Sequence, residues 1–242
     1  TSKQITMFYQ IYKFVFYIPW LLFWTAVNFF GVVLLAPFSP RLASRWFAGA
    51  WGRGLLRLVP ASLSVAGKEH LTEAPSFIVV SNHASLFDIP VLYGWLKLDL
   101  KWVMKKELRK VPFIGTGCAL MGHIFLDRSD REIAIRQLEE AADKLQPGTS
   151  IIFFPEGTRS RDGQLKSFKI GAFQMAKDLQ FPILPVVVKN TASIMPPDGI
   201  DLHPGRAELV ILEPIGVEQV IEGSSEQLRD RARESIAAEL HR

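Results

Sequence analysis

From Phe14 to Pro40 the chain carries no charged side chain, and the run Phe14-Val15-Phe16-Tyr17-Ile18-Pro19-Trp20-Leu21-Leu22-Phe23-Trp24 is unusually aromatic. About 20 apolar residues suffice to cross a bilayer, so one reading is a spanning helix. Pro19 and Asn28 interrupt the run, Gly31 follows, and aromatic rings fill its middle, whereas such rings belong at the membrane interface. The pattern therefore favours a pair of helices embedded in one leaflet and broken near Pro19 or between Trp24 and Gly31. The run is too long for a secretory leader and lacks a small-residue cleavage site, so it is expected to be retained. Arg41, Arg45, Arg53 and Arg57 then interleave with Trp46, Phe47 and Trp51, as in a segment lying among anionic head groups. That basic flank predicts that the main domain is cytoplasmic. The alternative is a hydrophobic helical hairpin packed on the domain itself.

Beyond Pro60 the pattern changes. Short β-branched and aromatic runs at Leu63 to Ala66, Phe77 to Ser81, Leu100 to Met104, His123 to Asp127, Ser150 to Phe154, Ile183 to Val188 and Ala207 to Ile211 predict seven strands. Apolar residues recurring every three or four positions predict helices at Glu132 to Leu145, Gly171 to Leu179 and Glu226 to Leu240. The fold class is α/β, a mixed sheet of about seven strands flanked by helices and preceded by the hydrophobic two-helix segment. The expected division is a membrane-embedded helical segment over residues 1–60 and one catalytic domain over 61–242, with no internal repeat, low-complexity tract or long linker in the latter.

Composition narrows the partners. Apolar residues make up 48% of the chain and are densest in its first sixty positions, which joins a membrane-seeking end to a soluble domain. A net charge of +4 suits lipid head groups, phosphorylated substrates or nucleic acid alike, so placement has to choose. The single cysteine, Cys118, excludes an internal disulfide framework and a thiolate zinc cluster, and its apolar neighbours make it a buried structural residue.

Two segments carry candidate chemistry. In Ser81-Asn82-His83-Ala84-Ser85-Leu86-Phe87-Asp88, a buried strand precedes the motif and Pro90 fits the first turn of a helix running toward Leu96. Side chains five positions apart lie about 140° apart on a helix and on opposite faces of a strand, so His83 and Asp88 meet only across a turn. There Asp88 can hold one imidazole nitrogen while the other takes a proton from a substrate hydroxyl. The bland alternative makes Asp88 a helix N-cap and His83 a turn residue. Ser85 lacks the small-residue elbow of a nucleophilic serine. Phe154-Pro155-Glu156-Gly157-Thr158-Arg159-Ser160 likewise follows an apolar strand; Gly157 admits a ligand close to the backbone, and Arg159 can grip a phosphate with two parallel bonds. A solvated turn with a local ion pair explains the same residues. Lys105, Lys106 and Arg128 stand at other predicted strand ends, where cations can converge on one anion.

With these blocks in order, joined by Gly122-His123-Ile124-Phe125-Leu126-Asp127-Arg128 and Leu184-Pro185-Val186-Val187, the sequence resembles the glycerolipid acyltransferases from roughly Leu63 to Val188 and in its apolar N-terminal end. The resemblance implies that His83 is the general base acting on the free hydroxyl of lysophosphatidic acid, that Asp88 orients it, and that attack on the thioester is direct. It assigns acceptor and phosphate binding to Glu156, Gly157, Thr158 and Arg159, assisted by Arg128 and Lys105. It implies no metal and no cofactor beyond an acyl-CoA or acyl carrier protein thioester as co-substrate, with membrane lipids rather than nucleic acid as partners. An acyl tunnel is expected along Val111 to Met121, with Gly115, Gly117 and Leu120 in its wall; core packing explains these residues equally. Rival readings are transfer to a different lysolipid, a membrane-bound hydrolase with a metal on His83 and Asp88, and a non-catalytic lipid-binding module.

Overall fold

The computed structural model describes residues 2–161, 163–197 and 199–242. Seven strands form one sheet: β1 (Ala61–Ala66), β2 (Ile78–Ser81), β3 (Asp99–Lys105), β4 (Ile124–Leu126), β5 (Thr149–Phe153), β6 (Ile183–Lys189) and β7 (Gly205–Ile211), in the order β1-β7-β6-β2-β5-β3-β4. All neighbours are parallel except β6 and β7, which makes the sheet mixed.

Side chains of the central strands alternate between two cores, as a period of two requires. Val79, Trp102, Ile152 and Leu184 face one core, which includes Val91, Leu92 and Leu96 of the Asp88–Leu96 helix. Ile78, Val80, Ile151 and Phe153 face the other, against Phe173 and Ala176 of the Gly171–Leu179 helix and Leu228, Ala232 and Ile236 of the Ser225–Leu240 helix. Both faces of β2 and β5 are buried, which is why these strands read as continuous apolar runs rather than alternating ones.

The parallel register does the main work of site assembly. Val80 pairs with Phe153, Ile152 with Trp102, and Lys105 with Leu126. The carboxyl ends of β2, β5, β3 and β4 therefore lie side by side along one edge of the sheet, with neighbours about 4.8 Å apart.

The N-terminal segment forms two helices, but the break lies elsewhere than expected. Helical backbone continues from Ser2 to Leu35, through both Pro19 and the Trp24 to Gly31 region, and the turn falls at residues 36–39. A π-helical turn over Lys13–Tyr17 precedes Pro19, and the Ile18 N–H bonds the Lys13 carbonyl, so the proline begins a fresh α-helical stretch. Asn28 satisfies itself by donating Nδ2 to the Trp24 carbonyl (2.7 Å). Gly31 is a notch for the Phe47 ring, since a Cβ there would lie 2.1 Å from Phe47 Cε1. The real stop is Ser39-Pro40, where the Ser39 hydroxyl accepts the Leu42 N–H (3.2 Å) and opens the next helical stretch.

That stretch docks on the domain through Gly52, where a Cβ would meet the Pro90 carbonyl at 2.4 Å. Two of the four arginines expected among head groups are tied to protein instead: Arg41 donates to the Pro147 carbonyl (2.9 Å) and Arg53 to the Gly94 carbonyl (3.0 Å). The helix Met7–Leu35 is long and apolar enough to cross a membrane, with only 11% of its most apolar window buried. Its outward positions, including Phe8, Phe14, Leu22, Phe30 and Leu34, are exposed, and Phe38 in the turn is 88% exposed.

Candidate active site

The motif after β2 folds as a turn into the Asp88–Leu96 helix, and the turn is organised around one carboxylate. Asp88 is fully buried; its Oδ2 accepts from His83 Nδ1 (2.8 Å), Ala84 N (2.8 Å) and Ser85 N (2.9 Å), and its Oδ1 from Thr191 Oγ1 (2.5 Å). Asp88 is not the N-cap; Phe87 holds that position without a side-chain bond. With Nδ1 donating to Asp88, the lone pair of His83 is on Nε2. The imidazole stacks on Phe154 at 3.8 Å and 8° and lines a cavity of ≈ 870 Å³. Ser85 is fully buried, and its hydroxyl donates to the Met195 carbonyl (2.6 Å).

The segment after β5 is locked to this turn. Glu156 accepts the His83 backbone N–H with Oε1 (2.9 Å) and the Lys166 N–H with Oε2 (3.0 Å), and the Ser160 N–H bonds the His83 carbonyl (2.8 Å). Burial raises the Glu156 carboxyl above its ordinary value, and these two backbone donors partly offset the rise. Glu156 thus clamps the two motifs together. Gly157 has φ +77°, a conformation that a side chain resists, and its carbonyl accepts Arg128 Nη1 (2.8 Å).

Cations gather at one end of the cavity. Lys105, Arg128, Gly157, Thr158 and Arg159 all line it, so the register brings together residues scattered over fifty-odd positions of sequence. Arg159 is also bonded to the Pro197 carbonyl, across from the motif. Two further cations at this end, Arg161 and Lys166, were not anticipated. Lys166 Nζ donates to the Arg159 carbonyl (2.8 Å) and lies 3.4 Å from Thr158 Oγ1. No local pattern marks it, because a loop and not a strand end delivers it.

The other end is apolar. Phe29, Val32, Phe47, Trp51, Phe113 and Met121 line it, so both N-terminal helices supply wall. Gly117 faces this space, with a Cβ position 3.4 Å from the Phe29 ring. Gly115 serves a different purpose: a Cβ there would lie 2.1 Å from the Arg109 carbonyl, so it permits helix packing. Leu120 packs against the cluster of Val32, Ala36, Ala43, Ala48 and Met121. Cys118 lines the cavity, and burial pushes its thiol up to about 12, which leaves it an inert wall residue.

Comparison with known proteins comes to the same region. The Acyltransferase family model matches residues 62–189. A 1-acyl-sn-glycerol-3-phosphate acyltransferase of Pseudomonas aeruginosa is 34% identical over 194 residues, 78% of this chain and 73% of the relative. One of Chlamydomonas reinhardtii is 32% identical over 180 residues, 74% of this chain; the matched part is about half (53%) of that relative's length. The crystal structure of the 1-acyl-sn-glycerophosphate (LPA) acyltransferase PlsC from Thermotoga maritima superposes with a TM-score of 0.80 at 27% identity, covering 100% of this chain and 97% of the other.

Proposed function

Because the chain belongs to the acyltransferase family, we propose that it moves a fatty acyl group from an acyl-CoA or acyl carrier protein thioester to the sn-2 hydroxyl of 1-acyl-glycerol-3-phosphate, giving phosphatidic acid. The observation that carries this reading is the position of His83, held by Asp88 at 2.8 Å between a cationic and an apolar end of one cavity. Such a cavity suits an acceptor with a phosphate at one end and an acyl chain at the other.

His83 Nε2 takes the hydroxyl proton as the oxygen attacks the thioester carbonyl carbon. Asp88 stabilises the imidazolium that forms. The tetrahedral intermediate then expels the thiolate, which recovers the proton from His83. The buried, hydrogen-bonded Ser85 offers no nucleophile, which favours direct transfer. Arg159, Lys166, Arg128 and Lys105 bind the phosphate, Glu156 and Gly157 hold that loop in place, and Thr158 lies beside it. Residues 1–60 act as the membrane-embedded part and 61–242 as the catalytic domain, at the cytoplasmic face of the inner membrane. The exposed aromatic and aliphatic surface of the first helix supports the membrane contact.

The test is phosphatidic acid formation from lysophosphatidic acid and a thioester, in vesicles with chelator present. Wild type is expected to be active and His83→Ala to lose about 10²- to 10⁴-fold while still binding lipid. No product from wild type with several thioesters would redirect the assignment to another lysolipid. An unchanged His83→Ala rate would remove the base. Lys166→Ala should raise KM for lysophosphatidic acid several-fold with little change in kcat; an unchanged KM would take Lys166 out of the phosphate site.

A further inference from the structure

The C-terminal helix (Ser225–Leu240) packs on the face of the sheet opposite the Asp88–Leu96 helix, yet one of its side chains reaches the loop that supplies the cationic end of the cavity. Arg233 is half-buried and donates Nε to the Lys166 carbonyl (3.2 Å) and Nη2 to the Leu165 carbonyl (3.2 Å). One planar guanidinium thus grips two successive peptide carbonyls.

The base of this fork is rigid. Leu228, Ala232 and Ile236 recur at every fourth position and are buried in the core, so Arg233 springs from a backbone that its neighbour Ala232 pins down. Ser225 Oγ donates to Gln174 Oε1 (3.0 Å) at the start of the helix, and Glu239 near its end accepts Lys189 Nζ of β6 (2.6 Å). The gripped residues, by contrast, lie in the connection between β5 and the Gly171–Leu179 helix, and Lys166 is exposed. A lysine on a flexible stem is aimed only if its backbone is held. The peptide group joining Leu165 and Lys166 is held from both sides: its N–H donates to Glu156 Oε2 (3.0 Å) and its carbonyl accepts Arg233 Nη2. These partners stand opposite one another because the N–H and C=O of a trans peptide point opposite ways.

From this geometry we infer that Arg233 is a positioning residue for the acceptor's phosphate: by gripping the Leu165 and Lys166 carbonyls it keeps the Lys166 ammonium at the cationic end of the cavity. The inference rests on the function proposed above. Lys166 lines the cavity and Arg233 does not, so Arg233 acts through Lys166. The His83 turn is tied to the same loop by Glu156 Oε1 and by the Ser160 N–H, and neither bond passes through Arg233. Loss of Arg233 should therefore weaken acceptor binding and spare the chemical step.

The experiment measures kcat, KM for lysophosphatidic acid and KM for the thioester in wild type, Arg233→Ala, Lys166→Ala and the double variant. Arg233→Ala should raise KM for lysophosphatidic acid about two- to tenfold, as expected for one or two lost hydrogen bonds, with kcat and the thioester KM unchanged. KM does not depend on the folded fraction. In the Lys166→Ala background the loss of Arg233 should add little, because the two residues act as one unit. Additive losses would overturn the inference, since a guanidinium that only adds positive charge to the region would give them. An unchanged KM for lysophosphatidic acid in Arg233→Ala would overturn it too, as would an equal rise in both KM values, the mark of general loosening. Arg233→Lys keeps the charge without the fork; it replaces the alanine variant if that one does not fold, and should raise the same KM by less. Wild-type transfer with Lys166→Ala unaffected would remove Lys166 from the phosphate site and this inference with it. No transfer by wild type would instead overturn the assignment on which it rests.

Discussion

Asp88 holds more structure than its proposed chemical role alone requires. Two backbone N–H groups, the Thr191 hydroxyl and the His83 ring all converge on it, so the same carboxylate closes the turn and orients the His83 ring proposed as the base. Asp88→Asn keeps the shape and an acceptor but removes the charge that, in the proposed mechanism, stabilises the imidazolium. It is expected to lower kcat by on the order of 10²- to 10⁴-fold; a near-normal kcat in steady-state assays would count against the base assignment. His123, which stands just ahead of β4 and is 6% exposed, with Tyr93 Oη 2.6 Å from its Nε2, makes a separate prediction for stability. The unfolded chain protonates this ring near pH 6.5, whereas burial and the nearby Lys101 make the folded one resist until about 3. Since the unfolded state binds the extra proton, stability should fall as pH drops through that window, by roughly 1.4 kcal/mol per unit from this group. Denaturant melts of His123→Gln should show a shallower fall between about pH 6 and about pH 4.

At the scale of elements, the contact between the second N-terminal helical stretch and the Asp88–Leu96 helix depends on Gly52. A methyl group at 2.4 Å from the Pro90 carbonyl cannot be absorbed by a rotamer change, because the obstacle is backbone. Gly52→Ala should destabilise the protein by about 1–3 kcal/mol, read as a lower melting temperature. Gly117 tests the apolar wall. A bulky side chain there would project beside Phe29 into the cavity, so Gly117→Leu should shift the preferred acyl chain to shorter lengths. A folded variant with an unaltered chain-length profile would show that the chain lies elsewhere. Gly115 offers no such test, since its substitution would disturb packing first.

On the scale of the whole molecule, the two-helix segment both covers the cavity and presents an apolar outer face. Apolar exposure of this extent marks an interaction surface, and a lipid leaflet fits its aromatic and aliphatic character. Leu34 and Phe38 are 73% and 88% exposed, so charging them should leave the fold intact. Leu34→Asp with Phe38→Asp is expected to reduce co-sedimentation with vesicles at least tenfold, given about 1.5–3 kcal/mol for each large apolar side chain buried. Unchanged vesicle binding would show that another surface engages the membrane.

Local chemistry determined a good deal of this protein by itself. All seven strands are where β-branched runs place them, and the Gly171–Leu179 helix has the bounds that periodicity predicts, because burial on one or both faces imposes period two or near four on the chain. The pairing of His83 with Asp88 was legible because a turn is the one local geometry that brings positions five apart together. The end of the first helix was not: Pro19 and Gly31 look like breaks, yet a π-helical turn just ahead absorbs one and the Phe47 ring, brought in from the next helical stretch, occupies the other. Lys166, Thr191 and the Tyr93–His123 pair were equally hidden. Their partners are 8, 103 and 30 positions away, and only the packed sheet, with four parallel strand ends along one edge, decides that such residues share a cavity or a bond.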